Sequence, residues 1–381
     1  MSRGPLHPTT YLLRNAAKTI PLIAVILLAV MLVMGIVSMI NSIPYSIRTI
    51  YSYSKNVLGV TPRGDPEMTP KIEKDIRKQS PYPIERIIRC RASGAQVKSI
   101  VGKWPFVVLG MKRDDLEYFL NKLGAERVEG RLPESGKPEV VISEPVARNL
   151  GLKLGDNLLS PDTQEMYSPL PVKVVGIAQT SEWLMFNDIT YQQENHFPPI
   201  ENVLVFGKDL ETQDKIDRWA YEEFRGERAQ VLAYFQLEEN TQEMFSILYR
   251  ILDVVIGTLV LVITFMMGMQ MNIYQSQRLV EFGLLQAIGY TKRQLIQRVF
   301  LETAIVIVSG WLLGVGSALL LLNVVKRILM DPRAFALNTL DQVSILYTVP
   351  IPIAITIVAV LTVTRRFRKF DPVGVVERRL V

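Results

Sequence analysis

Residues 22–43 read LIAVILLAVMLVMGIVSMINSI and contain thirteen Leu, Ile and Val without a charged residue. A helix needs about 20 apolar residues to cross the hydrocarbon core of a bilayer. Three more charge-free windows of this length follow, at 254–277, 303–325 and 342–364. A cleaved signal peptide is disfavoured for the first window, because its apolar region would be shorter and would end at an A-x-A-like site. The sequence therefore predicts four transmembrane helices.

The distribution of charge predicts the orientation of these helices. The chain has 43 Lys and Arg against 37 Asp and Glu, net +6, which by itself would suggest a nucleic-acid or membrane-surface binder. However, residues 44–243 hold 26 basic and 30 acidic residues, so the surplus lies in 1–18, 278–298 and 365–381. Cytoplasmic loops are enriched in Lys and Arg. We therefore expect both termini to be cytoplasmic and the long segment to face outward.

The outward segment reads as a mixed α/β domain with its own core. Alternating or β-branched runs predict strands, and periodic apolar residues predict helices. The expected strands are Ile100–Met111, Glu139–Ser143, Pro171–Ile177 and Val203–Phe206. The expected helices are Asp114–Leu123, Glu144–Leu150 capped by Gly151, and two stalk helices, Tyr45–Leu58 and Glu238–Leu252. The Pro-rich stretch Thr61–Pro83 is interpreted as a loop or linker.

Composition argues against several kinds of catalytic site. The single cysteine, Cys90, cannot form an intramolecular disulfide, and His7 and His196 are too few for a His-rich metal centre. No G-x-x-x-x-G-K-[ST] phosphate loop is present. No set of nucleophile, base and orienting group is visible. We expect neither an enzyme nor a metal or cofactor in this chain, and Cys90 is interpreted as an inert thiol.

The connection between the second and third windows, residues 278–294, reads RLVEFGLLQAIGYTKRQ. It predicts a short helix ended by Gly289, followed by a capping box from Thr291 to Gln294 that starts the next helix. Val280, Leu284, Ala287 and Ile288 share one apolar stripe at helical spacing. Such a stripe either docks into a groove of a soluble partner or lies on lipid. Periodicity alone leaves both interpretations open.

The same connection resembles the pattern of FtsX-like permeases, the membrane subunits of type VII ABC transporters, which include the MacB and LolC/LolE groups. The matching positions are Arg278, Glu281, Gly283, Leu285, Ala287, Ile288, Gly289, Lys292, Arg293 and Gln294. The outward segment resembles the MacB-type periplasmic core domain at 129–133, 139–144, 150–156 and 172–177. The tail Phe370–Arg378 resembles the closing segment of the family.

This resemblance implies a fold and an order of parts along the chain. The expected fold class is an α-helical membrane protein with four transmembrane helices and a large α/β extracytoplasmic domain inserted between helices 1 and 2. The expected parts are an N-terminal segment 1–18, helix 1 at 19–43, the MacB-like domain with stalk helices at 44–246, helix 2 at 247–273, the coupling helix region 274–297, helix 3 at 298–325, an outer loop 326–342, helix 4 at 343–364 and a tail 365–381.

The resemblance also implies partners and a mechanism. A separate ABC ATPase dimer would bind ATP and Mg²⁺ and dock on a pair of permeases, the second being a copy or a paralogue, in a bacterial inner membrane. A periplasmic adaptor or lipoprotein is a further expected partner. Movement would pass to the outer domain by mechanotransmission, to export or extract a lipoprotein, peptide or amphiphile. The alternative is a cargo-free transducer that regulates an extracytoplasmic partner such as a cell-wall hydrolase. The implied ATPase-coupling residues are Arg278, Glu281, Leu284, Leu285, Ala287, Ile288, Gly289, Lys292 and Arg293.

Three other groups of residues are candidates for a role. Gly310, Gly314 and Ala318 are small residues that let helices approach closely, within one subunit or across a dimer. Glu302 is expected to pair with Arg298, four residues earlier, rather than to relay protons. Pro350 and Pro352 are expected to kink or disturb the last helix. The candidate cargo surface consists of Trp183, Met185 and Phe186, for which core packing is the competing interpretation.

Overall fold

The chain folds into two compact units. The structure, a computed structural model, describes residues 12–368 except 13, 126, 165 and 225–228. Residues 42–246 and 326–337 form one unit, called here the α/β domain. Of the described residues, those at 12–41, 247–325 and 338–368 form the other, called here the helical unit. The tail resemblance at Phe370–Arg378 lies outside the described residues.

The bounds of the elements are as follows. The strands are β1 (Leu58–Thr61), β2 (Ile84–Ser99), β3 (Gly102–Met111), β4 (Arg127–Gly130), β5 (Glu139–Ser143), β6 (Asn157–Leu159), β7 (Val172–Gln179), β8 (Met185–Asp188), β9 (Glu201–Gly207) and β10 (Gln230–Leu232). The helices are α1 (Ala16–Ile50), α2 (Met68–Gln79), α3 (Arg113–Lys122), α4 (Glu144–Leu150), α5 (Ile189–Glu194), α6 (Leu210–Glu223), α7 (Tyr234–Ser276), α8 (Leu279–Ala287), α9 (Lys292–Val325), α10 (Gln342–Thr348) and α11 (Pro350–Arg368).

The ten strands that the structure describes belong to one mixed sheet. Its order is β10-β1-β9-β2-β3-β8-β5-β7-β4, with β6 paired to β7. The pairs β3–β8 and β5–β7 are parallel, and the other pairs are antiparallel. The residues of β5 are all buried, as expected of a strand covered on both faces. The predicted strands at 139–143, 171–177 and 203–206 are confirmed with shifts of at most two residues at each end.

Two secondary-structure predictions for the α/β domain are wrong. The stretch Thr61–Pro83, expected to be a loop, contains helix α2, whose Ile72 and Ile76 are buried against β9 and α6. All five prolines of this stretch lie outside the helix or in its first turn, where proline is tolerated, so they mark the ends of the helix and do not prevent it. The helix expected to reach Leu58 ends at Ile50, because Leu58 pairs with Val205 as the first residue of β1.

The segment expected as an outer loop is partly integrated into the α/β domain. Residues 326–337 belong to that unit. The buried Asn149 side chain donates to the carbonyl of Arg333 at 2.8 Å and to that of Lys98 at 2.9 Å, and accepts from the Lys98 amide at 2.7 Å. Ala334 packs against the domain core. The loop is therefore held by one buried amide that also joins α4 to β2.

The helical unit contains most of each of the four apolar segments. Four helical segments of the described chain are long and apolar enough to cross a membrane, at Ala16–Ile50, Tyr234–Ser276, Lys292–Arg333 and Gln342–Arg365. Large side chains from the four segments, including Ile26, Ile256, Ile307 and Ile355, form a shared core. The predicted disturbance at Pro350 is confirmed, because α10 ends at Thr348 and α11 begins at Pro350.

Candidate functional site

The connection between α7 and α9 folds as a short helix and a tight turn. Helix α8 ends at Ala287, and Gly289 adopts φ +107°, a value that favours glycine. The amide of Thr291 then donates to Oε1 of Gln294 at 2.9 Å, and the amide of Gln294 donates to Oγ1 of Thr291 at 3.4 Å. The predicted capping box is thus confirmed. It fixes where α9 starts, three residues after the glycine.

Four charged side chains join α8 to α9 in a closed ring. Arg278 donates through Nη1 to Oε2 of Glu302 at 2.5 Å and through Nε to Oε2 of Glu281 at 3.1 Å. Arg298 donates through Nε to Oε1 of Glu302 at 3.0 Å and through Nη2 to Oε1 of Glu281 at 3.4 Å. Each carboxylate therefore contacts both guanidinium groups. The predicted Arg298–Glu302 pair is confirmed, and its link to Arg278 was not predicted.

The ring is mostly buried and carries no net charge. Arg278 and Glu302 side chains are each 3% exposed, Arg298 is 8% exposed, and Glu281 is 35% exposed. Arg278 also lies over the rings of Tyr274 and Phe282, at 5.4 Å and 5.0 Å. Burial by itself would lower the pKa of Arg278, but its hydrogen bonds to Glu302 and Glu281 hold that pKa above the ordinary arginine value. Arg278 is thus stabilised in its charged form.

Helix α8 has one packed face and one exposed face. Phe282 is buried with Leu295, Val299 and Val363, and Leu285 is half-buried beside them. On the opposite side Leu284 is 53% exposed and Ile288 is 76% exposed, and Ala287, Gly289, Lys292 and Arg293 are exposed as well. Since Phe282 and the charge ring fix the inner face, the exposed apolar residues are presented on a rigid support.

The small residues of α9 pack within the chain. A Cβ atom added to Gly310 would lie 2.9 Å from Cβ of Ile26, and one added to Gly314 would lie 2.7 Å from Cβ of Val30. Ala318 is buried beside Met34. The structure therefore places these three residues against α1 of the same chain.

The expectation of a cargo surface at Trp183, Met185 and Phe186 is wrong. All three side chains are at most 2% exposed. Met185 and Phe186 belong to β8, which lies between β3 and β5 in the sheet. Consecutive residues of a strand point to opposite faces, and here both faces are covered: Trp183 and Met185 join one core cluster and Phe186 the other. Periodicity alone could not tell a buried apolar strand from an exposed one.

Comparisons with known proteins agree with this arrangement. Residues 20–216, more than half of the chain, match the family model of the MacB-like periplasmic core domain, and residues 254–372 match that of the FtsX-like permease C-terminal region. No curated protein matches the chain.

Two solved structures are similar at low identity. The periplasmic region of MacB from Actinobacillus actinomycetemcomitans is 12% identical, covers 51% of this chain and 95% of its own, and gives a TM-score of 0.28. The extracellular domain of the noncanonic ABC-type transporter YknZ from Gram-positive bacteria is 12% identical, covers 46% of this chain and 100% of its own, and gives a TM-score of 0.27.

Permeases of this family are membrane components of ABC transporters and work with ATPase subunits. The two family matches follow one another along the chain, as the α/β domain and the last three apolar segments do. On these grounds the chain belongs to the FtsX/MacB-type permeases, and it is a membrane protein with an extracellular domain.

Proposed function

We propose that this chain is the permease through which a separate ABC ATPase dimer moves the α/β domain, and that this movement exports or extracts a lipoprotein, peptide or amphiphile. ATP and Mg²⁺ would bind to the ATPase. The observation that carries the proposal is the exposed stripe of Leu284, Ala287 and Ile288 on a helix whose inner face is fixed. A rigid helix with an apolar face suits a groove on a soluble partner.

The charge ring gives this docking site a way to act on the rest of the chain. A push on α8 reaches Glu302 of α9 through Arg278, because that pair is short and buried. Glu302 lies in α9, the helix whose Gly310 and Gly314 pack on α1. Packed helices and buried ion pairs shift as units rather than deform continuously. Movement at the docking site would therefore be passed to α1, whose helix continues to Ile50.

The proposed orientation places the α7–α9 connection and both termini in the cytoplasm. It rests on the excess of Lys and Arg in 1–18, 278–298 and 365–381. Two ATPase subunits need two docking sites, so a second permease, either a copy or a paralogue, is part of the proposal.

The test uses the chain co-expressed with an ABC ATPase subunit that it retains through purification. Changing Leu284 and Ile288 together to Asp places two carboxylates on the exposed face without touching the packed face. We expect the ATPase to be lost from the complex while membrane insertion is unchanged. The control is Leu210→Asp, which alters a residue 59% exposed in the α/β domain. Retention of an active ATPase by the double variant would show that the subunit docks elsewhere.

A second measurement separates transport from regulation. In proteoliposomes containing the intact complex, an amphiphilic cargo should stimulate ATP hydrolysis or be released in an ATP-dependent way. ATP-dependent activation of a cell-wall hydrolase without any cargo would instead favour the transducer.

A further inference from the structure

A cavity of about 610 Å³ lies inside the α/β domain. Its floor is formed by residues of β10, β1, β9, β2 and β3. Its roof comes from Tyr51, Tyr53 and Ser54 and from Gln236, Leu237 and Asn240 in the first turns of α7. The volume falls in the range of about 300–1,000 Å³ that is typical of small-molecule sites. The residues that line the cavity belong to the α/β domain, whereas α8 and the charge ring belong to the helical unit.

The cavity exists because the floor carries small side chains. Directly paired strand residues place their side chains on the same face of a sheet. Gly59 pairs with Leu204 and Leu232, Cys90 pairs with Asn202, and Ala92 pairs with Leu109. Glycine, cysteine and alanine thus occupy three central positions of this face. Ala92 remains exposed and Leu232 is 52% exposed, so the side chains that the structure describes leave the space above these two residues open, whereas Cys90 is fully covered.

The lining that the structure describes is mostly apolar, although Asn202, Gln230, Gln236 and Asn240 add amide groups to it. Val57, Cys90 and Phe119 line the cavity and are buried. Burial raises the pKa of the Cys90 thiol to about 12, so the thiol is neutral at pH 7. Among the lining residues that the structure describes, Arg63 alone is charged, and its side chain is exposed. An apolar interior with a cation at its mouth complements a molecule with an apolar chain and an anionic head.

The geometry points to a binding site for a single-chain anionic amphiphile in the α/β domain, with the acyl chain over Gly59 and Ala92 and the carboxylate or phosphate head at Arg63. The binding itself does not depend on the proposed function. Only the further step, that the bound molecule is the cargo or part of it, rests on that proposal.

The test is photolabelling of the full chain in lipid nanodiscs. The probes are a diazirine fatty acid with a carboxylate head, a diazirine lysophospholipid with a phosphate head, and a diazirine alkanol of the same chain length. We expect at least one anionic probe to label peptides that contain the residues of the floor or roof. Of the carboxylate and the phosphate probe, the one that labels more strongly identifies the preferred head group. We expect Arg63→Glu to weaken labelling by the anionic probes more than labelling by the alkanol. Labelling spread over the surface of the domain would overturn the inference.

Filling the cavity supplies the matched comparison. Ala92→Phe should reduce labelling of the floor and roof by about tenfold, whereas Val101→Phe, in the exposed turn between β2 and β3, should leave it unchanged. Gln236→Trp fills the same space from the roof, so it serves if Ala92→Phe does not fold. Equal labelling of the wild type and of a filled variant that folds would refute the site. The site would also be refuted if a photo-leucine peptide labelled the floor and roof and neither anionic lipid probe did.

The outcome is independent of the docking experiment. The Leu284→Asp, Ile288→Asp variant should lose the ATPase and still be labelled in the cavity. Labelling of the cavity in the variant that has lost the ATPase supports the site. Loss of labelling in the filled variants, with the ATPase still bound, supports it as well. Absence of cavity labelling in the wild type with the ATPase bound would overturn the site and leave the proposed function standing.

Discussion

Nη1 of Arg278 lies 2.5 Å from Oε2 of Glu302, although 24 residues separate them, and both side chains are 3% exposed. Arg278 immediately precedes α8, and Glu302 lies one turn above Arg298 in α9. This pair connects the helix that presents Leu284 and Ile288 to the helix that packs on α1. In the proposed function, the charge ring would therefore be part of the mechanical link and not only a local ion pair.

Glu302→Gln should destabilise the helical unit strongly. The amide keeps the shape of the side chain but leaves Arg278 and Arg298 with one carboxylate between them. Removing one partner of a buried pair typically costs about 3–5 kcal/mol. Glu281→Gln is the matched control, since Glu281 is 35% exposed and water can compensate. In nanodiscs, the unfolding temperature should fall clearly more for Glu302→Gln than for Glu281→Gln. An equal fall in both variants would contradict a role for burial.

Gly289→Ala should loosen the end of α8. The glycine has φ +107°, which an L side chain rarely adopts, and the added methyl group would meet no atom within 4 Å. The cost is therefore conformational, about 1–3 kcal/mol. Gly257→Ala, where the added group also meets nothing but the backbone is helical, should be neutral or slightly stabilising. Hydrogen exchange of residues 284–294 would detect the difference, and identical protection in both variants would argue against it.

Gly314→Ala should separate α9 from α1. The new Cβ would lie 2.7 Å from Cβ of Val30 and 3.0 Å from the carbonyl oxygen of Leu27, so the helices must move apart. Gly316→Ala is two residues away in the same helix and meets nothing within 4 Å. We expect a lower unfolding temperature for Gly314→Ala alone. A cysteine pair spanning α1 and α9 would report the separation directly as a slower rate of cross-linking.

Asp217→Asn should change how the stability of the α/β domain depends on pH. Burial raises the pKa of Asp217 from 3.8 to about 7, although the hydrogen bond from Gln213 lowers it and nearby Asp214 raises it further. Because the folded-state pKa exceeds the unfolded one, the native state holds the proton more tightly. The contribution of Asp217 to the free energy of unfolding is therefore fully present below about pH 4, and it is lost as the pH rises through about 7. The wild type should therefore lose stability between pH 5 and pH 8 and the variant should lose less, as chemical denaturation at both pH values would show. Parallel losses would mean that Asp217 is ionised at a lower pH.

The α7–α9 connection and the apolar segments were the parts of the fold that the sequence predicted best. Helical spacing, Gly289 and the Thr291–Gln294 box are local signals, because each depends on residues within one or two turns. The same holds for α4, whose predicted start at Glu144 and cap at Gly151 are confirmed. The strand at Glu139–Ser143 was also predicted with its bounds, since a short apolar run between turn signals has few other interpretations.

Tertiary structure decided the features that depend on residues distant in sequence. Charge spacing suggested that Arg298 pairs with Glu302, but only the crossing of α8 and α9 brings Arg278 to the same carboxylate. Small residues predicted close packing at Gly310 and Gly314, and only the position of α1 identified the partner. The apolar Trp183, Met185 and Phe186 proved to be core because β8 lies inside the sheet, whereas the cavity over Gly59, Cys90 and Ala92 arises from strands that are far apart along the chain. The local sequence pattern determines whether a segment is a helix or a strand and where it ends. The packing of strands and helices from distant parts of the chain determines which of their faces stay exposed.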